Sequence, residues 1–538
     1  MRKRVNANLL LISTILKYCI PVFIYLIAFH TVGNICYSVI GILETIVLFL
    51  CVNSIAKKKL VIARVVSIIP LFVLCIQAAL LLFAGRYVNT LMLSNLSSAE
   101  ALSGKTLQYG GTILLIVLVE LLPLKYIDFA PINQKKYLVS MVAVLVTVDV
   151  IICSIFHVAY SPVGSLSSLM IEYQNMRKLD DIINSGDGSS SYEKFYRTSV
   201  DDYISRPENL SERPNVVLIF MEGCSQNIVD DSRQIMPNIA SFQNQGINFS
   251  NYFNHTAATY RGLIGQLYSA HQFHNTDTNR LISVQEIFKD YGYDTEFINS
   301  EPKNEEFSEY LGNLGFDSVS SSAPNGDYVS DSEIYDMLYN SLVEADESNT
   351  PRLIVTYTFG THCAMDSEEQ QFGDGSNRLL NRFFNTDYQF GLFLERVQAD
   401  NLDENTLIVL TTDHATVLDD DFIETFQDVH DREYWFCDTI PLTFYYKGIC
   451  PETIDANGRN SICLADTLLD YLDFSAPNFF LGESLFGIHN ENNLFSTTYC
   501  IPEGLDMLTT QNGTIDGMPD ERKQEFEEEL AEYLSLVQ

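Results

Sequence analysis

Long apolar runs occupy the first third of the chain, and most of them are as long as a helix that crosses a bilayer. Such a helix needs about 20 mostly apolar residues to cover about 30 Å of hydrocarbon. The pattern therefore predicts a bundle of five transmembrane helices in residues 1–160, of which the fourth is the shortest. The runs lie at residues 8–29, 35–55, 60–85, 111–124 and 137–159.

The pattern changes after residue 160, where a polar stretch at 161–213 predicts a juxtamembrane linker. From residue 214 short, continuous apolar runs follow, at 215–221, 353–359 and 406–411. Continuous runs of this length are typical of strands that are buried on both faces.

Helical patterns lie between these strands, for example at 283–291 and 379–399. Strands that alternate with helices predict an α/β domain with a mostly parallel sheet, which we place at residues 214–500. The acidic pattern at 501–538 predicts a carboxyl-terminal helical tail that packs on this domain.

Charge divides the chain at the same place. Residues 1–160 hold 13 Lys and Arg against 5 Asp and Glu, whereas the rest of the chain holds 20 against 64. The total formal charge of −36 together with 47% apolar residues excludes a disordered chain and a nucleic-acid binder that works by neutralising phosphates. The two parts are therefore expected to face different solvents.

The basic residues also predict the orientation in the membrane. They concentrate in alternate loops, which by the positive-inside rule places the amino terminus in the cytoplasm. An odd number of spans then places everything after about residue 160 outside the cytoplasm. Three acids lie inside predicted spans, and we expect them to face the bundle interior or to extend towards a membrane interface, with no assigned role: Glu44, Glu120 and Asp149.

Each predicted strand is followed by polar residues that are able to bind a metal. Glu222 follows the first strand, Thr361 and His362 the second, and Asp413 and His414 the third. Ligands of open α/β sheets bind beyond the carboxyl ends of the strands. The coincidence of all three therefore favours a site at this edge of the sheet.

A fourth element comes from the segment HTAATYRGLIG, in which Thr259 precedes a helical pattern. A helix amino terminus offers free N–H groups and a positive dipole end to an anion. The alternative is that Thr256 or Thr259 is only the N-cap of that helix. Further histidines near these segments are expected in core or surface positions: His255, His271, His274 and His430.

Several segments carry a family resemblance in their order and spacing. NVVLIFMEGCS, MPNIASFQNQGINFSNYF, ATYRG, TFGTH and TLIVLTTDH resemble the lipoteichoic acid synthases and related phosphoglycerol and phosphoethanolamine transferases of the alkaline phosphatase and sulfatase superfamily. The resemblance implies a bacterial, multi-pass membrane protein with an extracytoplasmic catalytic domain. It also implies a metal bound by Glu222, Thr259, Asp413 and His414, with Thr259 as nucleophile and His362 in the substrate pocket.

The chemistry of these residues agrees with the implied roles. A divalent cation lowers the pKa of a bound hydroxyl and neutralises charge on phosphoryl oxygens. Two carboxylates, a hydroxyl and one imidazole suit Mn²⁺, Mg²⁺ or Zn²⁺, and the resemblance favours Mn²⁺. The predicted reaction transfers a phospholipid headgroup, phosphoglycerol first, through a phospho-threonine to an envelope glycan or glycolipid. No nucleotide is expected, because the chain lacks the GxxxxGK[ST] pattern.

Departures from the family pattern leave the substrate and the reaction open. The stretch 303–317 has neither the Trp nor the Arg of the Trp-x-Arg element that helps lipoteichoic acid synthases to hold glycerol phosphate. The donor headgroup therefore stays open between phosphoglycerol and phosphoethanolamine. Two further functions suit this fold: a membrane-anchored phosphodiesterase or sulfatase-like hydrolase, and a non-catalytic receptor. A sulfatase is the weaker option, because the chain has no C/S-x-P-x-R sulfatase motif.

Overall fold

Most of the chain is described by the computed structural model, in two compact units, Met1–Met176 and Arg177–Gln538. The described residues are 2–31, 35–84, 86–88, 92, 106–128, 135–155, 160–183, 188–272, 279–322, 328–363, 365–367, 369–426, 436–501 and 506–537.

Helices occupy all five predicted spans of the first unit, and a sixth begins in it. Three of them have parts that are long and apolar enough to cross a membrane, Asn8–Phe29, Ile35–Ala56 and Leu60–Phe83. The apolar parts of the next two are shorter within the described residues, Gly110–Leu121 and Val142–Ile151. By length and composition three of the described helices are thus suited to span a membrane, and the predicted count of five spans is not confirmed. The helices are α1 (Arg2–Thr31), α2 (Ile35–Ala56), α3 (Leu60–Ala84), α4 (Thr106–Leu121), α5 (Lys135–Ile155) and α6 (Pro162–Ile183).

The fourth predicted span ends early because the chain leaves the helix at Pro123. Proline has no N–H, and its ring disfavours helical geometry in the residue before it. Side chains of neighbouring helices satisfy the freed backbone: Lys17 donates to the carbonyl of Glu120 at 2.8 Å, and Asn53 bonds the N–H and the carbonyl of Ile127. An extended segment therefore replaces the last turn that the apolar run predicted.

Two of the acids inside the predicted spans have partners within this unit. Glu120 pairs with Lys17 at 3.3 Å, and Glu44 accepts hydrogen bonds from the Ser161 hydroxyl and the Val163 N–H. These contacts agree with the expected interior positions and assign no further role.

The second unit contains an eight-stranded sheet, a three-stranded sheet and eleven described α-helices. The helices are α7 (Gly188–Phe195), α8 (Gln226–Val229), α9 (Pro237–Gln243), α10 (Thr259–Tyr268), α11 (Val284–Asp290), α12 (Glu305–Asn313), α13 (Asp331–Ser348), α14 (Arg378–Ala399), α15 (Asp420–Phe426), α16 (Leu464–Tyr471) and α17 (Asp520–Val537). The strands are β1 (Asn215–Met221), β2 (Ile247–Ser250), β3 (Asp294–Ile298), β4 (Ser318–Ser320), β5 (Arg352–Tyr357), β6 (Thr406–Thr412), β7 (Thr443–Tyr445), β8 (Glu452–Asp455), β9 (Thr498–Ile501), β10 (Asp506–Thr509) and β11 (Asp516–Gly517).

The large sheet confirms the prediction of a mostly parallel sheet. Its strand order is β4-β3-β5-β1-β6-β7-β2-β8, and β7 alone runs antiparallel to its neighbours. All residues of β1 and β6 are buried. Central strands with helices on either side have no solvent face, which explains why their sequences do not alternate.

Helix starts match local capping signals. Ser283 and Ser330 form capping boxes with Glu286 and Glu333, and the side chain of Asn377 caps α14. These polar contacts satisfy N–H groups that the first turn of a helix leaves without partners. They fix α13 and α14, which support the loop after β5.

The predicted linker and tail pack on each other. Lys194 of α7 lies 2.8 Å from Glu532 of α17, and the rings of Phe195 and Tyr533 are 5.3 Å apart. The tail begins with strands as well as a helix, since β10 pairs antiparallel with β9 across the predicted boundary at residue 500.

Candidate active site

Three parallel strands end level with one another at one edge of the sheet. Phe220 of β1 pairs with Tyr357 of β5 and with Thr411 of β6. The residues that follow these positions therefore leave the sheet side by side. Glu222 and Asp413 come directly after β1 and β6.

Glu222, Asp413 and His414 form one buried cluster. Each offers one ligand atom, and these atoms lie within 4.8 Å of one another. His414 Nε2 is 3.6 Å from Glu222 Oε1 and 3.4 Å from Asp413 Oδ2. The three residues are 3%, 0% and 4% exposed. Two carboxylates and an imidazole held this close and away from water are a donor set suited to a divalent cation.

Thr259 begins α10 with its hydroxyl beside this cluster. Its Oγ1 donates to Glu222 Oε2 at 3.3 Å. The N-cap of α10 is Ala258, and no side chain caps the helix. The alternative that Thr256 or Thr259 serves as N-cap is therefore wrong, because the Thr259 hydroxyl points to the carboxylate and not back to its own helix.

The donor atoms of the cluster fit a metal ion. Asp413 Oδ1 accepts hydrogen bonds from the N–H groups of Gly223 and His414 at 2.9 and 2.8 Å. Its other oxygen, Oδ2, is buried and accepts none from the described residues. His414 Nδ1 lies 2.8 Å from the Ala415 carbonyl, so the ring proton sits there and the lone pair of Nε2 faces the carboxylates. A cation would supply the partner that Asp413 Oδ2 lacks.

Burial and neighbouring charges also shift the pKa values of the three residues in the cluster. Burial raises the pKa of Asp413 to about 7, and the Glu222 charge adds to this against the opposing effect of His414. Burial also acts to raise the pKa of Glu222, but the charges of His414 and His362 outweigh it, and the pKa is lowered. Burial acts to lower the pKa of His414, but the two carboxylates outweigh it, and that pKa is raised. A bound cation would displace these protons.

His362 lies on the loop after β5, close to the cluster but outside its three ligand atoms. Its N–H donates to the Phe359 carbonyl at 3.0 Å, and its ring stacks on Phe359 with centroids 4.6 Å apart. Burial lowers the pKa of His362, but the charges of Cys363, Glu222 and Glu301 outweigh it and raise the pKa to about 10. The imidazole is therefore protonated at neutral pH and suited to donate a proton.

Two further side chains hold Glu222: Thr361, which the sequence pattern already placed after the second strand, and Tyr357, which the sequence analysis did not single out. The Tyr357 hydroxyl donates to Glu222 Oε2, and the Thr361 hydroxyl donates to the Glu222 backbone carbonyl. Tyr357 lies inside an apolar strand and looks like a core residue in the sequence. The sequence feature that points to Tyr357 is a hydroxyl at the end of a strand whose neighbouring strands carry the candidate ligands. This feature can be used only when the strand register is known.

Two of the other histidines named from the sequence, His255 and His271, do not join the cluster. His255 and His271 are buried against each other, with ring centroids 5.5 Å apart. His274 and His430 lie outside the described residues.

Comparisons with known proteins agree with this architecture. The sulfatase family model matches residues 214–474. A protein of the alkaline phosphatase superfamily from Vibrio parahaemolyticus is similar in structure, with 15% identity, a TM-score of 0.51 and coverage of 68% of this chain and 95% of that chain. At this identity the similarity shows the fold. No curated protein matches the chain.

A synthase and a transferase are among the other similar structures. The lipoteichoic acid synthase LtaP from Listeria monocytogenes is 14% identical, with a TM-score of 0.48 and coverage of 67% of this chain and 96% of that chain. The integral membrane lipooligosaccharide phosphoethanolamine transferase EptA from Neisseria meningitidis is 15% identical, with a TM-score of 0.45 and coverage of 87% and 95%. The sulfatase family model thus matches the domain whose sequence motifs resemble the lipoteichoic acid synthases and related transferases of the alkaline phosphatase and sulfatase superfamily.

Proposed function

We propose that this protein transfers a phospholipid headgroup to a cell-envelope glycan or glycolipid in a metal-dependent reaction that passes through a phospho-threonine at Thr259. Phosphoglycerol is the proposed headgroup. The observation that carries this proposal is the Thr259 hydroxyl at the amino terminus of α10, 3.3 Å from a carboxylate oxygen of the buried Glu222, Asp413 and His414 cluster. A receptor that only binds a ligand would not need a nucleophilic hydroxyl in this position.

Glu222, Asp413 and His414, together with the Thr259 oxygen, would hold one divalent cation, for which we propose Mn²⁺ over Zn²⁺ and Mg²⁺. Bound there, the cation would lower the pKa of the Thr259 hydroxyl and neutralise charge on the phosphate. The amino terminus of α10 adds its positive dipole end at the same place. Tyr357 keeps Glu222 oriented, since burial and the Glu222 charge raise the pKa of its hydroxyl and it stays a donor.

The reaction would proceed in two displacements. In the first, the Thr259 hydroxyl gives its proton to solvent, its oxygen bonds to phosphorus, and the bond from phosphorus to the diacylglycerol oxygen breaks while His362 protonates that oxygen. In the second, an acceptor hydroxyl gives its proton to His362 and attacks phosphorus. The Thr259 oxygen then leaves and regains a proton. One phosphodiester replaces another, so no nucleotide is needed.

The proposed location follows from the first unit and from charge. Apolar helices of α1, α2 and α3 would hold the protein in a bacterial membrane, and the acidic domain would lie outside the cytoplasm, at the leaflet that contains the phospholipid donor. Anchored in this way, the protein would share the membrane with a donor that cannot leave the bilayer.

The proposal is tested with full-length protein in vesicles that contain fluorescent phosphatidylglycerol. We expect diacylglycerol release that needs a divalent cation and that Thr259→Ala abolishes. Thr256→Val is the matched control, because Thr256 is a buried hydroxyl next to the same helix whose Oγ1 makes no hydrogen bond with the described residues. Diacylglycerol release from phosphatidylethanolamine but not from phosphatidylglycerol would identify phosphoethanolamine as the transferred headgroup. Diacylglycerol release by Thr259→Ala at the wild-type rate would refute the mechanism.

A further inference from the structure

A buried arginine lies under the loop that carries His362. Arg382 of α14 is 1% exposed. Its Nη1 donates to the His362 carbonyl at 3.1 Å, and its Nη2 is 3.9 Å from Asp419 Oδ2. A charged donor on a backbone carbonyl makes a stronger hydrogen bond than a neutral one, and in a buried position it has no water to compete with it. This contact holds the loop at the residue that presents the imidazole.

The other end of the loop is held by a second buried charge. Asp331 of α13 accepts the Gly360 N–H at 3.0 Å through Oδ1 and the Thr386 hydroxyl at 2.5 Å through Oδ2. A Cβ on Gly360 would lie 2.3 Å from Asp331 Oδ2, so the backbone approaches the carboxylate as closely as a glycine permits. Thr386 and Arg382 lie one turn apart on α14 and thus share one support.

The loop between these two contacts is fixed against the site as well. The Thr361 hydroxyl bonds the Glu222 carbonyl, and the His362 ring stacks on Phe359. The loop therefore has little freedom to reorient. We infer that Arg382, together with Asp331, is a positioning residue that orients the His362 imidazole toward the oxygen of the leaving diacylglycerol. The inference rests on the proposed function and extends it to residues that touch neither metal ligand nor substrate.

Two substrates with different leaving groups distinguish a positioning role of Arg382 from a general structural role. A diacylglycerol oxygen leaves as a strongly basic alkoxide and needs a proton, whereas p-nitrophenolate leaves without one. Loss of an oriented acid therefore slows the lipid reaction selectively, typically about 100-fold. Loss of fold slows both reactions equally.

The experiment uses full-length protein in vesicles and compares phosphatidylglycerol with glycerol p-nitrophenyl phosphate. We measure the first turnover without acceptor, because His362 also serves as base in the second displacement with either substrate. In this turnover we expect Arg382→Met and Gly360→Ala to slow diacylglycerol release about tenfold or more and to change the burst of p-nitrophenol less than about threefold. Arg382→Lys keeps one donor and should lie between wild type and Arg382→Met. Arg459→Met is the matched control, because Arg459 is equally buried and donates to the carbonyls of Ala456, Ser484 and Leu485 in another loop.

Gly360→Ala and Arg382→Lys keep the test decisive if Arg382→Met fails to fold. Equal losses on both substrates in these variants, alongside a selective loss in His362→Ala, would overturn the positioning role and leave the transferase intact. If His362→Ala loses activity equally on both substrates, His362 is not the acid, and the positioning role of Arg382 is also wrong. Wild-type protein that cleaves neither substrate would contradict the proposed function itself.

Discussion

The helix that carries the proposed nucleophile, Thr259, rests directly on the strand end that carries a metal-ligand candidate. Gly262 of α10 packs on the backbone of Asp413, and a Cβ at this position would lie 2.3 Å from the Asp413 carbonyl oxygen. Only a glycine allows this approach. The contact sets the distance between Thr259, one turn earlier on α10, and the cluster.

We expect Gly262→Ala to displace α10 and to lower headgroup transfer about 100-fold, since a shift of about 1 Å is enough to misalign a nucleophile. Overpacking should also cost about 1–3 kcal/mol of unfolding free energy. Gly312→Ala is the control, because a Cβ there meets nothing within 4 Å. It should stabilise helix α12 by about 0.5–1 kcal/mol and leave transfer unchanged. Normal transfer by Gly262→Ala would show that the close contact does not position Thr259.

Tyr357→Phe removes the hydroxyl that donates to Glu222 Oε2. Groups that orient metal ligands typically change metal affinity about 10–100-fold, and we expect a loss of this size in a titration with Mn²⁺. Tyr335→Phe is the matched control, because the Tyr335 hydroxyl is buried and has no hydrogen-bond partner among the described residues. Equal affinities for the two variants would argue against an orienting role of Tyr357.

Metal affinity should depend on pH with a defined sign. Burial and the Glu222 charge raise the pKa of Asp413 to about 7, so below this pH the metal-free protein keeps a proton that a cation must displace. Affinity should therefore be highest above pH 7 and fall about tenfold per pH unit as the pH drops below it. Isothermal titration with Mn²⁺ between pH 6 and 8 measures this, together with proton release. A metal affinity that does not change with pH would mean that the metal displaces no proton from Asp413.

Acid should destabilise the domain partly through His271. Burial lowers the pKa of His271 to about 4 from the ordinary value of 6.5. Below pH 6.5 the unfolded chain binds a proton that the folded chain does not bind until about pH 4, so the stability of the folded state falls as the pH drops through this window.

The variant His271→Leu should lose less stability than wild type between pH 7 and 5, by about 1–2 kcal/mol. The rings of Phe495 and Phe526 surround the site and tolerate an apolar side chain. Part of the acid sensitivity will persist, because His255 lies against His271 and burial also lowers its pKa. Urea unfolding at both pH values measures the difference, and equal losses in the two proteins would remove His271 from this explanation.

The sequence predicted the sheet and the cluster because both depend on local patterns. β1 and β6 are continuous apolar runs, and each is followed at once by an acidic residue. The sequence analysis did not identify Tyr357 as a site residue, because its role depends on its register opposite Phe220. The pattern within one strand does not reveal this register. The helix at the fourth predicted span ends before its apolar run for a reason that the run itself does not reveal. The run remains apolar past Leu121, but Pro123 and the polar side chains of Lys17 and Asn53 favour an extended segment.

The central claim is that phosphorus is transferred to the Thr259 oxygen. Mass spectrometry of the peptide that contains Thr259, after brief incubation of the full-length protein with phosphatidylglycerol and Mn²⁺ without acceptor, tests it most directly. We predict a phosphoglycerol adduct that fragmentation assigns to Thr259 and that disappears when a glycan acceptor is added. An unmodified Thr259 peptide in protein that is releasing diacylglycerol, or an adduct on another residue, would contradict the account.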